Sequence, residues 1–153
     1  MHSSNGPMQS VKRSVLVVHS ARQMFDLVDG IELYPEFLPW CGGAQVVETR
    51  ADGKTARIDI DYAGIRAHFT TDNVNRAGES ITLRLREGPF SHLSGEWRFV
   101  SLAPTGSKVV LALAYEFATP ILERGVGPVF SAIANSLIDA FVRRADAVYP
   151  SAA

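Results

Sequence analysis

Few residues of this chain could do chemistry, and their spacing decides what that chemistry would be. Ser91-His92 in GPFSHL sets a hydroxyl beside an imidazole, His68 sits among Arg66 and Asp72, and Cys41 is the only thiol. Nucleophilic catalysis needs a base within hydrogen-bond reach of the Ser or Cys, with a third group orienting that base. Neighbours in an extended segment point to opposite sides, so Ser91 and His92 do not form such a pair. Cys41 has no visible histidine partner, and it reads as a small buried apolar residue. The four histidines, at 2, 19, 68 and 92, make no zinc-spaced set with it. Acid–base work on an apolar substrate would need polar groups facing inward, and Thr71, Asn73, Tyr62 and Tyr115 are the candidates. Nothing in this inventory demands an enzyme, and the expectation is no catalytic residue and no metal.

The elements that would position these residues follow from periodicity. Val11–His19 is rich in β-branched residues and reads as a strand. Ser20 suits an N-cap for a helix carrying Met24, Phe25, Leu27 and Val28 as its apolar stripe, with Gly30 as the stop. A second short helix spans Ile31–Leu38 and ends near Pro39, because the residue before a proline avoids helical angles. Gln45–Thr49 is the second strand, entered through a turn at Gly42-Gly43. The period then stays at two. Ala56, Ile58 and Ile60 alternate with charges, Ala63-Gly64 makes a two-residue turn, and Ile65, Ala67 and Phe69 follow. That register sets Asp61 opposite Arg66 and Asp59 opposite His68. Further strands carry Ile81/Leu83/Leu85, Trp97/Phe99 and Lys108–Ala118.

From Thr119-Pro120 the period lengthens to 3.6. One long amphipathic helix reaches Tyr149-Pro150, with Gly125, Gly127 and Pro128 loosening its first turns. The fold class is therefore α+β: a seven-stranded curved antiparallel sheet wrapped around a long C-terminal helix, with two short helices after the first strand. A strongly bent sheet cannot touch a straight helix along its whole length. An apolar cavity between them is the expected result.

Composition limits the function. The chain has 153 residues, 46% hydrophobic and 20% charged, with net charge −1. That fits one domain, residues 11–149, preceded by a flexible stub at 1–10 that is native or added by cloning. Near-zero charge gives no general attraction to DNA or acidic membranes. No apolar string nears the roughly 18 residues of a membrane span, and no signal-peptide core follows a basic start. The expected location is the cytoplasm, with peripheral contact at the inner membrane left open.

The motifs YPEFLPWC at 34–41, FTT at 69–71, GPF at 88–90, LSGEWRF at 93–99, YEF at 115–117 and the helical pattern from Val129 to Tyr149 stand in a particular order. In that order the chain resembles the coenzyme Q-binding and ribosome-association toxin (RatA) family of the START-like polyketide cyclase superfamily. The resemblance implies a helix-grip fold around a tunnel for a hydrophobic molecule. In one branch, which is the first expectation for this chain, it implies a non-enzymatic carrier or chaperone of ubiquinone or a similar polyprenylated quinone in respiration. In the other it implies a protein that binds the large ribosomal subunit and blocks subunit joining. A polyketide cyclase or aromatase is a third reading, and transient membrane contact a further one.

On the cavity model Tyr34, Phe37, Leu38 and Trp40 form a stiff wall at the open edge, with Trp40 at a half-wet entrance. Val126, Val129, Phe130, Ile133, Leu137 and Phe141 form the floor. Phe69, Leu83, Phe90, Trp97, Tyr115 and Phe117 form the sides, with Phe90 near the mouth. Each buried CH₂ of an isoprenoid tail would contribute about 0.8 kcal/mol. No cofactor is required. The ribosome reading uses basic clusters instead: Lys12-Arg13, Arg84/Arg86 with Arg98, and Arg143-Arg144, with Asp72 expected to neutralise Arg84.

Overall fold

Alternating apolar and polar residues build a sheet that hides one face, and the chain closes that face with its own C-terminal helix. The computed structural model describes residues 8–103 and 105–149. In chain order these form β1 (Gln9–Val17), α1 (Ala21–Asp29), a 3-10 helix (Ile31–Glu36), β2 (Cys41–Arg50), β3 (Gly53–Tyr62), β4 (Ile65–Arg76), β5 (Ser80–Glu87), β6 (Phe90–Ala103), β7 (Gly106–Phe117) and α2 (Pro120–Val148). The sheet is curved and antiparallel, in the order β1-β7-β6-β5-β4-β3-β2. Strands β2 to β7 are sequential neighbours, and α1 with the 3-10 helix carries the chain from the β1 edge to the β2 edge.

Local chemistry sets the ends of these elements. Ser20 and Gln23 form a reciprocal capping box, each side chain bonding the other's backbone N–H. The N–H of Gly30 donates to Asp26 O and Leu27 O and ends α1. Thr119 accepts from Leu122 N and caps α2, with Pro120 at its first position. The β3–β4 turn has Ala63 at φ 54° and Gly64 at φ 80°, the left-handed pair that a two-residue hairpin requires. Its register sets Asp61 opposite Arg66 and Asp59 opposite His68, as the alternation predicts.

Some boundaries differ from the sequence expectation. β1 begins at Gln9 and ends at Val17, so residues 9 and 10 of the expected stub belong to the sheet, Met8 is exposed before it, and 1–7 lie outside the described residues. The second short helix is a 3-10 helix ending at Glu36. The glycine pair is not a turn into β2 but part of it. The pairing shifts register between Cys41 and Gly43, leaving Gly42 as a bulge. A Cβ on Gly43 would stand 2.9 Å from Asp59 Oδ2, and one on Gly42 3.0 Å from Asp61 Cβ. Glycine lets the bulged edge pass those two side chains.

α2 runs from Pro120 to Val148 through Pro128 and lies against α1, β1, β4 and β7. By length and composition it could cross a membrane, contrary to the expectation that no segment could. Here Phe130, Ile133, Ala134, Ile138, Phe141 and Ala145 are buried, and Ala132, Asn135, Ser136 and Asp139 face out. Both flanks of this helix are anchored. Arg13, on the inner side of β1, donates to Asn135 O at 2.7 Å. His19 is buried and meets Asp146 Oδ1 at 2.8 Å, while its own carbonyl accepts from Ser107 Oγ.

Candidate functional site

Two aromatic clusters hold α2 off the sheet. In one, Phe141 meets Tyr34, Phe37 and Trp97 edge-on at centroid distances of 5.4, 5.3 and 5.3 Å. In the other, Phe130 meets Tyr115 and Phe90 at 4.8 and 4.9 Å, and Phe90 stacks on Phe117. Edge-to-face rings pack well but leave gaps that aliphatic chains must fill. A cavity of about 90 Å³ remains, lined by members of both clusters, by aliphatic residues of β3, β5, β6, β7 and α2, and by Phe69, Thr71 and Asn73 of β4.

Nine of the expected residues line it: Tyr34, Trp40, Phe69, Leu83, Trp97, Phe130, Ile133, Leu137 and Phe141. The other seven lie elsewhere. Leu38 is core, 1% exposed. Phe37 is half-buried between Tyr34 and Phe141, under the Arg144 guanidinium 4.9 Å from its ring centroid. Phe90, Tyr115 and Phe117 are locked into the second cluster, so Phe90 does not sit at a mouth. Val126 is buried and Val129 half-buried, both away from the lining. Apolar period identifies a helix's inward stripe, but it does not reveal which part of the stripe faces a gap. Trp40 lines the cavity while only 9% exposed, so it is wall rather than entrance. The lining residues with partial exposure are Asp29, Tyr34, Phe69, Leu83 and Leu137.

Sequence reasoning missed much of the lining, including Val28, Asp29, Ile31, Leu93 and Leu113. It also gave no role to Gly95, which faces Leu83 and Leu113 in the register. A Cβ there would meet Leu113 Cδ2 at 2.5 Å, so the missing side chain is the space into which Leu113 leans.

The polar lining is confined to one end. Thr71 and Asn73 are buried on the inner face of β4, and Thr71 Oγ1 donates to Asn73 Oδ1 at 2.7 Å. Farther along the same face, Asn75 Nδ2 donates to Asp29 Oδ1 at 2.9 Å, and Lys54 Nζ stands 3.2 Å from that oxygen. Asn75 Oδ1 is buried without a hydrogen-bond partner among the described residues. Tyr34 donates its hydroxyl to Val28 O, and burial, followed by Asp29 and Cys41, pushes its pKa far up, so it remains a neutral donor. Burial also raises the Cys41 thiol, whose Sγ donates to Gly43 O at 3.3 Å. Tyr62, expected as a candidate inward group, is exposed at the strand end. Ser91 and His92 are both exposed at a bulge, with His92 Nε2 3.0 Å from Ser94 Oγ. Among the described residues no group of His, Cys, Asp and Glu could hold a metal ion.

The basic clusters are split by strand parity. Lys12 is exposed on the outer face, whereas Arg13 turns to α2 and Asp139. Asp72 lies opposite Arg84 but gives its carboxylate to Thr55 and Arg86, at 2.7 and 3.1 Å. The Thr55 hydrogen bond, then Arg86, hold its pKa below the usual carboxylate range. Arg98 meets Glu96, Arg144 meets Glu36, and Arg143 is exposed.

With this geometry in hand, comparison with known proteins is informative. Residues 17–142 match the family model for polyketide cyclase / dehydrase and lipid transport. A protein of Vibrio cholerae named ribosome association toxin RatA is 42% identical over 142 residues, covering 93% of this chain and 99% of that one. The mitochondrial coenzyme Q-binding protein COQ10 homolog B of Xenopus laevis is 21% identical, over 85% of this chain and 55% of its own. Among solved structures, the Zhui aromatase/cyclase of a Streptomyces species superposes with a TM-score of 0.75 at 22% identity, over 92% of this chain and 94% of that one.

Proposed function

This chain belongs to the coenzyme Q-binding and ribosome-association toxin RatA family of the START-like polyketide cyclase superfamily, and on that premise we propose that it binds the large ribosomal subunit and hinders subunit joining, with no reaction of its own. The observation that carries this is end-to-end likeness at 37–42% identity to proteins named for ribosome association. The likeness to a coenzyme Q-binding protein is much weaker and covers about half of that longer chain.

Physical chemistry weighs the same way. A dry cavity that takes one benzene measures about 150 Å³. At about 90 Å³, this one would have to widen before a substituted quinone ring could enter. The buried Thr71–Asn73 pair is neutral, and Asp29, the carboxylate in the lining, is engaged by Asn75 and Lys54 through its Oδ1. The likeness to the solved aromatase/cyclase, at 22% identity, lies in the fold alone.

Sucrose-gradient profiles test the proposal. Added protein should reduce the peak of joined subunits and co-sediment with the large subunit. Unchanged joining at saturating protein sinks it.

A second reading keeps the cavity as a binding site for an amphipathic molecule such as a prenylated quinone. It is favoured by the polar end of the lining, Asp29, Thr71 and Asn73, beside which Asn75 bonds Asp29 and keeps its Oδ1 without a partner among the described residues. Mass spectrometry of an organic extract, from protein made in a quinone-producing host, decides it. Near-stoichiometric quinone in the wild type, lost when Leu137→Trp fills the cavity, supports carriage. An extract without quinone counts against it.

A further inference from the structure

We infer that the docking surface is the outer face of the central strands, and that it meets the backbone of folded RNA; this rests on the ribosome-binding reading. Five exposed cations stand on five consecutive strands: Lys12 on β1, Lys108 on β7, Arg98 on β6, Arg84 on β5 and Arg76 on β4. They share one face because their strand neighbours Val109, Leu111, Phe99 and Trp97 point into the core. Only Arg98 has a carboxylate within 4.0 Å among the described residues, Glu96 at 3.3 Å. Asp72, opposite Arg84, is already engaged by Thr55 and Arg86.

The registers fix the layout. Arg98 lies opposite Ser80, which lies opposite Arg76. Lys12 lies opposite Ala112, and Lys108 opposite Leu16 and Val100. With strands about 4.8 Å apart and same-face residues about 6.7 Å apart along each strand, the cations cover a patch about 20 Å across in both directions. Between them lie the short side chains Ser14, Ser80, Ser94, Thr82, Ala112 and Ala114, with Val74, Val110 and Glu96, the last turned to Arg98, as the larger ones, so a broad partner can approach closely.

The chemistry of the patch selects its partner. Long cations over a floor of small and hydroxyl residues suit phosphate and sugar contacts. No Phe, Tyr or Trp lies on the outer faces of these five strands, and the rings that do, the imidazoles of His68 and His92, lie beyond Arg84 at one end of the patch, which favours structured RNA over single strands. The helical side has the opposite character. α1, the 3-10 helix and α2 together hold seven carboxylates against four arginines. With a net charge of −1, attraction is local to the sheet, and repulsion on the helical side orients the encounter. An anionic membrane is the rival partner, since Leu16, Val18, Val100 and Leu102 are exposed at one end of this face. The cations spread across the whole face rather than ringing that apolar end, which favours RNA.

The test measures binding to purified large subunits across a salt series, for the wild type, the double variant Lys12→Glu/Arg84→Glu and the helical-side control Arg143→Glu. Thermal melting checks that all three fold. The double variant should lose at least tenfold in affinity, with a salt slope shallower by about two. Arg143→Glu should change affinity less than twofold. Wild-type binding that the double variant retains in full overturns the surface while leaving the ribosome reading intact. Salt-independent binding overturns the RNA backbone contact. Wild type that binds phosphatidylglycerol vesicles through this face, but no subunit, overturns the RNA partner. Wild type that binds neither removes the ribosome reading itself, and this inference with it.

Discussion

Along β4 the chain alternates between two environments that share a backbone and little else. Phe69, Thr71, Asn73 and Asn75 point toward α2, and Thr70, Asp72, Val74 and Arg76 point away. The inner set is fixed by contacts made from several directions at once, including rings from the far end of the chain. In the outer set, Asp72 bonds Thr55 and Arg86 on the neighbouring strands. The two faces therefore answer different constraints. Volume and shape limit the inner face, so a change there is felt as stability. Charge and reach govern the outer face, where substitutions leave the fold nearly untouched and alter what the protein can meet.

Mutations can break or sharpen that contrast. The largest effect should come from Phe141→Ala. This ring is 1% exposed and joins Tyr34, Phe37 and Trp97, so its loss should cost about 3–5 kcal/mol in urea unfolding. Lys12→Ala or Arg84→Ala should stay within about 0.5 kcal/mol of wild type. Comparable losses on the two faces would erase the distinction.

Next comes Gly95→Val. Its side chain would collide with Leu113 and press on the cavity wall, costing about 1–3 kcal/mol by thermal melting. A neutral result would mean that the cavity absorbs the added volume. Ser20→Ala should cost about 1 kcal/mol, because it removes one half of the capping box that starts α1. A loss below a few tenths would mean that packing alone holds that helix end.

The smallest effect belongs to the outer face and to low pH. The folded Asp72 carboxyl has a lowered pKa, so its contribution is present above the ordinary carboxylate range and lost as pH falls through the lowered value. In melting curves from pH 7 down to pH 3, Asp72→Asn should be less stable than wild type at neutral pH. The gap should narrow below about pH 4. A constant gap would mean that Asp72 acts by geometry rather than charge.

Where legibility ended follows from which contacts are local. The Ala63-Gly64 hairpin, the Asp59–His68 register and the Ser20, Gly30 and Thr119 caps could be read in advance, because each is set by residues a few positions apart. Trp40, Phe90 and Val129 could not be placed. Each is apolar and on or beside an inward stripe, and nothing nearby in sequence distinguishes core from cavity wall. The sharing of Asp72 was also hidden, since parity named Arg84 opposite it while side-chain reach gave it to Arg86.

By itself, then, the order of residues determined the strands, their pairing, the closing helix and which side chains point inward, because backbone geometry and hydrophobic period act over short distances. Only the tertiary structure decided where α2 settles on the curved sheet, that Gly95 leaves room for Leu113, and that Arg13 meets Asn135 and Asp139 of α2. Those outcomes depend on rings and charges brought together from opposite ends of the chain, whose fit is settled by packing in three dimensions.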